Sequence, residues 1–311
     1  MYFFLQYCVF FFATLCIFFL QKTNFDEIKK LVIKSLFVDD DFYDLFVLKG
    51  GNALSLAYKT SNRSSKDVDV SMAEDFLLEN KEVLKKLENA FEKIFKNSEY
   101  KTFDFKLSKR PMSMDEEKKM FWGGYLLEFK VIEREKYDEN NIQTTRKSAI
   151  NLGKKGSKSF TVDISKYEYT LDKQEMDFEG LSIFVYTPIM IINEKIRAIC
   201  QQMEDYPVNT TRKPRPRDFF DIHLIFTTHE CGVNDEIFLS EHNLNMLKEM
   251  FTLKKVPLEL IDKISETYDF HNLDYESLKA TVSTYIEVKE FKFYFDFVVE
   301  KVKKLNSLWI K

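Results

Sequence analysis

A glycine pair followed shortly by two aspartates constrains the fold of this chain more than any other feature. Gly50 and Gly51 separate the apolar segment 46–48 from a helix-like segment, so a buried strand is expected to end there in a tight turn. Asp67 and Asp69 alternate with valines, and side chains two residues apart on a strand project from the same face. The sequence therefore predicts a pair of carboxylates close to a turn whose backbone can approach a phosphate.

Adjacent carboxylates repel each other unless a cation lies between them. A hard divalent ion such as Mg²⁺, or Mn²⁺ in its place, prefers oxygen ligands of this kind. Taken alone, a glycine pair is ordinarily a tight turn, and an Asp-x-Asp pair is ordinarily a solvated strand edge. The glycine pair and the Asp-x-Asp pair, together and in this order, favour a metal-dependent site that binds a nucleotide.

Four segments of the chain, in the same order, resemble the AbiEii/AbiGii toxin family of nucleotidyltransferases. They are residues 50–54, 63–70, 193–198 and 217–222, and the resemblance extends from about residue 25 to about residue 226. Asn52 stands where the family more often has Thr or Ser, and its amide can still donate a hydrogen bond to a phosphate. The resemblance implies an α/β fold of the nucleotidyltransferase type, with a mixed sheet flanked by helices and a C-terminal helical lobe.

The expected division of the chain follows from this resemblance and from the spacing of apolar residues. Residues 21–186 would form the nucleotidyltransferase core and residues 187–311 a helical lobe, with the nucleotide in a cleft between them. The apolar spacing predicts strands at 46–48, 102–107, 125–133, 159–165 and 181–186, and helices at 25–38, 53–58, 75–97, from 188 onward and at 289–305.

A third carboxylate usually completes a two-metal site, and two residues compete for that place. Asp163 lies in an apolar strand, where an unpaired charge would be costly, and Glu128 lies in the preceding predicted strand. The family's third carboxylate lies on the strand before the helical half, which favours Asp163. The resemblance then makes Asp67, Asp69 and Asp163 the catalytic and metal-binding residues, with Asp163 as general base toward an acceptor hydroxyl.

The remaining site residues are implied by the resemblance. Lys195 would reach the triphosphate from the helix that begins near Pro188, because a lysine ammonium is a compact charge suited to phosphate oxygens. Asp221 is placed like a functional acidic residue of the family, whereas we interpret Asp218 as a partner of the helix dipole. The set implied for nucleotide binding is Gly50, Gly51, Asn52, Ser65, Lys195, Arg217 and Asp221.

The resemblance implies an enzyme that transfers a nucleotide from a nucleoside triphosphate, such as GTP, and releases pyrophosphate. Its acceptor would be an RNA, with the 3′ end of tRNA as one option, or a protein side chain, and its partner would be an antitoxin. The basic segments 146–158 and 212–217 could hold a phosphate or an RNA backbone, or could be solvated loops. Two other hypotheses stay open, a nucleotide-binding module without catalysis and a membrane-tethered interaction protein.

The composition limits which binding partners and which cellular compartment are expected. The formal charge of −4 gives no overall attraction to nucleic acid, so such binding would depend on local patches. None of the four cysteines forms a Cys-x-x-Cys pair, which argues against a disulfide framework or a zinc cluster. A reducing compartment fits this pattern, so we expect a cytoplasmic protein.

The N-terminal segment 1–20 is apolar except for Gln6 and Thr14. A helix of this length would span about 30 Å, the thickness of a bilayer core. Lysines directly after the segment would keep the globular part in the cytoplasm if the segment were a membrane anchor. The alternatives are a start codon assigned too far upstream and a helix buried elsewhere in the protein.

Overall fold

The computed structural model describes residues 25–58, 67–153, 156–208, 211–282 and 287–305. Within them the chain forms an α/β fold whose strands make one seven-stranded mixed sheet, in the order β3-β4-β5-β2-β1-β7-β6. The strands are β1 (Val47–Leu48), β2 (Val68–Ser71), β3 (Tyr100–Arg110), β4 (Gly124–Glu133), β5 (Ser159–Ser165), β6 (Gln174–Phe178) and β7 (Leu181–Val185). The predicted α/β fold with a mixed sheet is confirmed.

Helices follow the strands in the C-terminal part of the chain, as the apolar spacing predicted. The α-helices are α1 (25–37), α2 (Asp40–Tyr43), α3 (Gly50–Asn52), α4 (Asn80–Phe95), α5 (Glu116–Lys119), α6 (Ile142–Ser148), α7 (Pro188–Cys200), α8 (Pro216–Thr227), α9 (Asp235–Phe238), α10 (Glu241–Leu253), α11 (Tyr268–Asn272), α12 (Tyr275–Lys279) and α13 (Phe291–Lys303). A π-helical turn, Ala53–Ala57, continues α3, and 3₁₀ segments lie at Arg134–Lys136, Glu139–Asn141, His229–Cys231 and Leu258–Glu266.

Local chemistry explains where the site-bearing helices begin. α7 starts at Pro188, as predicted, because proline is tolerated in a first helical turn, and Oγ1 of Thr187 accepts the N–H of Met190 at 3.4 Å. α8 likewise starts at a proline, Pro216. Strand β6 was not predicted, because it is an edge strand whose mostly exposed residues lack apolar alternation.

The chain divides into two compact units, each assembled from separate stretches. Among the described residues, one unit comprises those within 25–43, 78–106 and 128–161, and the other comprises those within 44–77, 107–127 and 162–305. The predicted boundary at residue 186 falls inside the second unit. Every described candidate for the catalytic residues belongs to that second unit, except the rival carboxylate Glu128.

Each unit has its own apolar core. In the first, ring contacts connect Phe91 on α4 to Phe129 on β4 (4.8 Å between centroids), and Phe129 to Phe160 on β5 (5.4 Å). In the second, Phe219 on α8 stacks on Phe295 of α13 (5.4 Å). Among the described residues, no helix is long and apolar enough to cross a membrane, and the segment 1–20 lies outside them.

Candidate active site

The glycine pair follows strand β1 and turns the chain beside a carboxylate of β2. Gly50 has a φ of +66°, a left-handed conformation that residues with side chains disfavour. A Cβ at this position would lie 3.3 Å from Oδ2 of Asp69. Because glycine has no Cβ, it does not crowd this carboxylate. Helix α3 begins at the same glycine, and the first N–H groups of a helix have no partner within it. The turn therefore offers backbone donors next to a carboxylate.

Asp69 and Asp163 lie side by side on neighbouring strands. β2 and β5 pair in parallel, and their register places Asp69 opposite Asp163. Asp67 precedes Asp69 by two residues, directly ahead of β2, whereas the rival Glu128 lies on β4, which is not a neighbour of β2. Asp163 is exposed although the residues on either side of it are buried, because side chains alternate along a strand. Asp163 therefore lies in an apolar strand, as predicted, but the residue is exposed, so its charge does not carry the expected cost of burial.

The carboxylates of this group repel one another. Burial raises the pKa of Asp69 to about 7 against the opposing charge of Lys49, and the charges of Asp163, Asp67 and Glu194 add to the rise. A shift of this size and cause is typical of functional sites, where like charges are held together. A cation bound at these oxygens would relieve the repulsion.

The donor set suits a hard cation, but the side chains do not complete its coordination. Within the part of the chain that the structure describes, no group of three or more His, Cys, Asp or Glu side chains is arranged to hold a metal ion. Mg²⁺ is usually bound through one or two carboxylates, with water and substrate phosphates as the other ligands. Asp69 and Asp163, with Asp67 beside them, fit such a partial ligand set.

Lys49, directly before the glycine pair, is a candidate that sequence reasoning missed. Its backbone N–H donates to the carbonyl oxygen of Asp69 (3.0 Å), and its Nζ donates to Oγ of Ser165 (3.0 Å). The residue is buried, and its charge opposes the rise in the pKa of Asp69. Its position was a usable signal, because a lysine at the end of an apolar strand needs a polar partner.

Asn52 makes a different contact from the predicted one. The residue is fully buried, and its Nδ2 donates to the carbonyl oxygen of Asp67 at 2.6 Å. The amide thus connects α3 to the start of β2 and fixes the backbone of a predicted metal ligand. This contact gives Asn52 a positioning role in the described structure.

Lys195 on α7 is enclosed by two aspartates of α8. Its Nζ lies 2.9 Å from Oδ1 of Asp218 and 2.8 Å from Oδ2 of Asp221, and the residue is only 4% exposed. Burial alone would raise the pKa of Asp218, but the charges of Lys195 and Arg215 hold it well below its usual range. The structure therefore brings Lys195 and Asp221 together, and it makes Asp218 an ion-pair partner where the sequence suggested only a helix-dipole role. A lysine within the apolar helix α7 was the available signal.

The two arginines at the start of α8 have distinct partners. Arg217, predicted to bind a phosphate, donates to the carbonyl oxygen of Ser277 at 3.4 Å. Arg215 donates from Nη1 to Oδ2 of Asp218 at 2.9 Å, and its side chain is 39% exposed. The prediction for Ser65 lies outside the described residues, as does part of the basic segment 146–158.

A second buried ion cluster lies in the same unit. Oε2 of Glu168 is 2.8 Å from Nη2 of Arg197, and Oε1 is 3.3 Å from Nζ of Lys254. Burial would raise the pKa of Glu168, but Arg197, Lys254 and Lys49 lower it to about 2. All the members are buried, which indicates a role in holding the fold.

A glycine turn packed against a carboxylate, with a second carboxylate opposite it on the neighbouring strand of a mixed sheet, fits the nucleotidyltransferase class of α/β proteins. The sequence model of one family, described as "Nucleotidyl transferase AbiEii toxin, Type IV TA system", matches residues 32–296. The chain belongs to this AbiEii family, and the predicted family membership is confirmed.

Solved structures similar to the chain have low sequence identity. A proposed nucleotidyltransferase from H. pylori is 17% identical, with a TM-score of 0.49, and the match covers 93% of this chain and 98% of that one. JHP933 from Helicobacter pylori is 18% identical, with a TM-score of 0.47 and the same coverage of 93% and 98%. Among curated proteins, none matches the chain.

Proposed function

We propose that this protein is a metal-dependent nucleotidyltransferase that moves a nucleotide from a nucleoside triphosphate to an acceptor, as the toxin of a type IV toxin–antitoxin pair. The observation that carries the proposal is the register that sets Asp69 opposite Asp163, with Gly50 packed against the Asp69 carboxylate. A phosphate bound at the turn would lie beside the carboxylates. Family membership supports the reaction class.

Different residues of the chain would bind the metal, accept the proton and position a metal ligand in this reaction. Asp67, Asp69 and Asp163 would hold Mg²⁺ or Mn²⁺, which when bound supplies charge neutralisation at the phosphates. Asp163, the exposed member, would accept the proton of the acceptor hydroxyl, whose oxygen attacks the α-phosphorus. The bond from the α-phosphorus to the bridging oxygen then breaks, and pyrophosphate leaves with the bonding electrons. Lys49 would keep Asp69 in place throughout.

The acceptor and the binding partners belong to the same proposal. We infer an RNA acceptor, such as the 3′ end of a tRNA, or a protein hydroxyl, with GTP among the candidate triphosphates. The family description supports a cognate antitoxin as partner. A binding module without catalysis would bind the triphosphate and transfer nothing.

The test measures the transfer of label from the α-phosphate of the triphosphate to an acceptor. The full chain and its Asp69→Asn variant are incubated with Mg²⁺, each α-labelled triphosphate, and total RNA or cell protein. Asp177→Asn, an exposed aspartate on the edge strand β6, is the matched control. We expect labelled RNA or protein with the wild type and the control, and background label with Asp69→Asn.

The outcomes separate the hypotheses. Equal labelling by Asp69→Asn and the wild type would refute the assigned role of the carboxylates. Triphosphate binding without label transfer to either acceptor pool would favour the binding module. Label in only one pool would identify the acceptor class.

A further inference from the structure

Most buried cations of the second unit lie against a carboxylate, but Lys49 does not. Within the described residues of this unit, the other buried cationic side chains are Lys195, Arg197 and Lys254. Each lies 2.8–3.3 Å from its nearest carboxylate oxygen. Nζ of Lys49 instead donates to the neutral Oγ of Ser165 at 3.0 Å, and no described carboxylate lies within ion-pair distance of it. The positive charge of Lys49 is therefore not cancelled by a direct partner.

The sheet places this ammonium beside the candidate carboxylates. β1 and β2 are antiparallel neighbours, and the N–H of Lys49 donates to the carbonyl oxygen of Asp69 at 3.0 Å. The Lys49 side chain reaches Ser165, which lies two residues beyond Asp163 on the same face of β5. Two residues of a strand span about 7 Å, so the ammonium lies about this far along β5 from the position of Asp163. The contacts thus place Lys49 between the two strands that carry the carboxylates.

The carboxylates of β2 and β5 supply the negative charge that a buried ammonium needs. Such a group is costly in the interior unless opposite charge compensates it. Burial raises the pKa of Asp69, and Lys49 opposes that rise, which agrees with its position. Lys49 also acts on Glu168, but that carboxylate already has Arg197 and Lys254 as direct partners. The charge of Lys49 is therefore available to the carboxylate site.

A fixed positive charge changes how many metal ions the site can hold. Asp67, Asp69 and Asp163 carry three negative charges when all are ionised. One divalent ion and the ammonium balance these charges, whereas two divalent ions and the ammonium exceed them by two. Glu194, a further negative neighbour of Asp69, has Arg197 as its own cation at 3.9 Å. The balance of charge thus favours a single ion.

We propose that Lys49 supplies the positive charge that a second metal ion would otherwise bring, so that the carboxylates of the site bind one divalent ion and not two. Lys49 is then a positioning residue, which acts through Asp69 and Asp163 without contacting the substrate. This inference rests on the proposed function and deepens it, because it assigns the metal requirement of the same site.

The test counts the ions that the protein binds without any triphosphate. The full chain is titrated with Mn²⁺ at a fixed, mildly alkaline pH, and free Mn²⁺ is measured by electron paramagnetic resonance. Ions that the Asp69→Asn variant fails to bind are assigned to the site. Lys49→Met removes the charge and Lys49→Arg keeps it. The matched control is Lys173→Met, which removes another lysine of this unit whose Nζ donates to a neutral acceptor, the carbonyl oxygen of Asp44 at 2.9 Å.

We expect one site-specific ion in the wild type and two in Lys49→Met. The first ion should bind Lys49→Met at least about fivefold more tightly, because an ammonium about 7 Å away no longer repels it. Lys49→Arg should bind one ion with an affinity within about threefold of the wild type, since its charge is unchanged. Lys173→Met should bind like the wild type. A purely structural role of Lys49 would give the opposite sign, because a loosened site binds metal more weakly.

Four results would overturn the inference. They are two site-specific ions in the wild type, none in the wild type, only one in Lys49→Met at any affinity, and a second ion in Lys173→Met as well. Thermal unfolding shows whether each variant is folded, and Lys49→Gln replaces Lys49→Met if the latter is not. The wild-type count needs no variant of Lys49 and decides by itself whether one ion or two are bound.

The label-transfer assay separates this inference from the proposed function. If the ion counts are as expected while the wild type transfers no label, the proposed function fails and the role of Lys49 at the metal site stands. If label is transferred and Lys49→Met still binds a single ion, the proposed function stands and the role of Lys49 fails.

Discussion

His271 gives the folded protein a sensitivity to mild acid that can be worked out from its contacts. The side chain is fully buried on α11, with its ring 5.1 Å from that of Phe219 and 5.1 Å from that of Phe270. Its Nδ1 accepts the N–H of Arg215, which requires that nitrogen to carry no proton. Lowering the pH would add a charge to this fully buried side chain and remove the acceptor.

The direction and size of the effect follow from the pKa. Burial lowers the pKa of His271 from 6.5 to about 4, with Asp218 opposing the change and Arg215 adding to it. Between these two values the unfolded chain binds a proton that the folded chain does not, so stability falls as the pH falls. At about 1.4 kcal/mol per pH unit, this group costs about 2 kcal/mol between pH 7.5 and pH 5, and about 3 kcal/mol below pH 4.

Urea unfolding at a series of pH values, followed by circular dichroism, measures this loss. His271→Asn keeps an acceptor for Arg215 but cannot titrate, so its stability should fall by about 2 kcal/mol less than that of the wild type between pH 7.5 and pH 5. The variant loses ring contacts at every pH. The comparison is therefore between the slopes of unfolding free energy against pH and not between absolute stabilities. His229→Asn, at an exposed position, is the control and should keep the wild-type slope. Equal slopes for His271→Asn and the wild type would refute the reasoning.

Two further predictions concern the turn and the ion cluster. Gly50→Ala should abolish label transfer, since its Cβ would crowd the Asp69 carboxylate, whereas Gly232→Ala, with a φ of +62° and nothing within 4 Å of the added Cβ, should remain active. Both should lose about 1–2 kcal/mol of stability through backbone strain, and equal transfer by the two variants would contradict this role of Gly50. Glu168→Gln should destabilise the protein by about 3–5 kcal/mol in urea unfolding, because buried cations lose their carboxylate, and a loss below about 1 kcal/mol would contradict that account.

The carboxylates of the site were the most predictable part of the structure. Alternation placed Asp67 and Asp69 on one strand face, and β5 has the predicted bounds, 159–165. The pairing of Asp69 with Asp163 was not deducible from apolar spacing, because it depends on the parallel register of two strands that are distant in the sequence. Resemblance to the family supplied the choice of Asp163, and the register that sets it opposite Asp69 supports the proposed role.

The contacts of the polar residues were harder to foresee. Lys195 and Asp218 lie on different helices, and only the packing of α7 on α8 makes them an ion pair. Asn52 was predicted to bind a phosphate because an amide can donate a hydrogen bond to one. In the fold, its amide donates to the backbone carbonyl oxygen of Asp67. In each case the residue type was informative and the partner was set by tertiary structure.

Three carboxylates of the second unit fall into two groups, in which the surroundings shift the pKa in opposite directions. Glu168 and Asp218 each contact two cationic side chains, and these charges outweigh burial and lower the pKa of both groups. At Asp69 the balance is reversed, because Lys49 opposes burial and three negative neighbours and the pKa rises to about 7. The fold thus neutralises the carboxylates that hold its helices and leaves those beside the glycine turn with an excess of negative charge. An excess of this kind destabilises the protein unless a cation arrives, so it argues for a metal brought with a triphosphate more strongly than the spacing of the aspartates does.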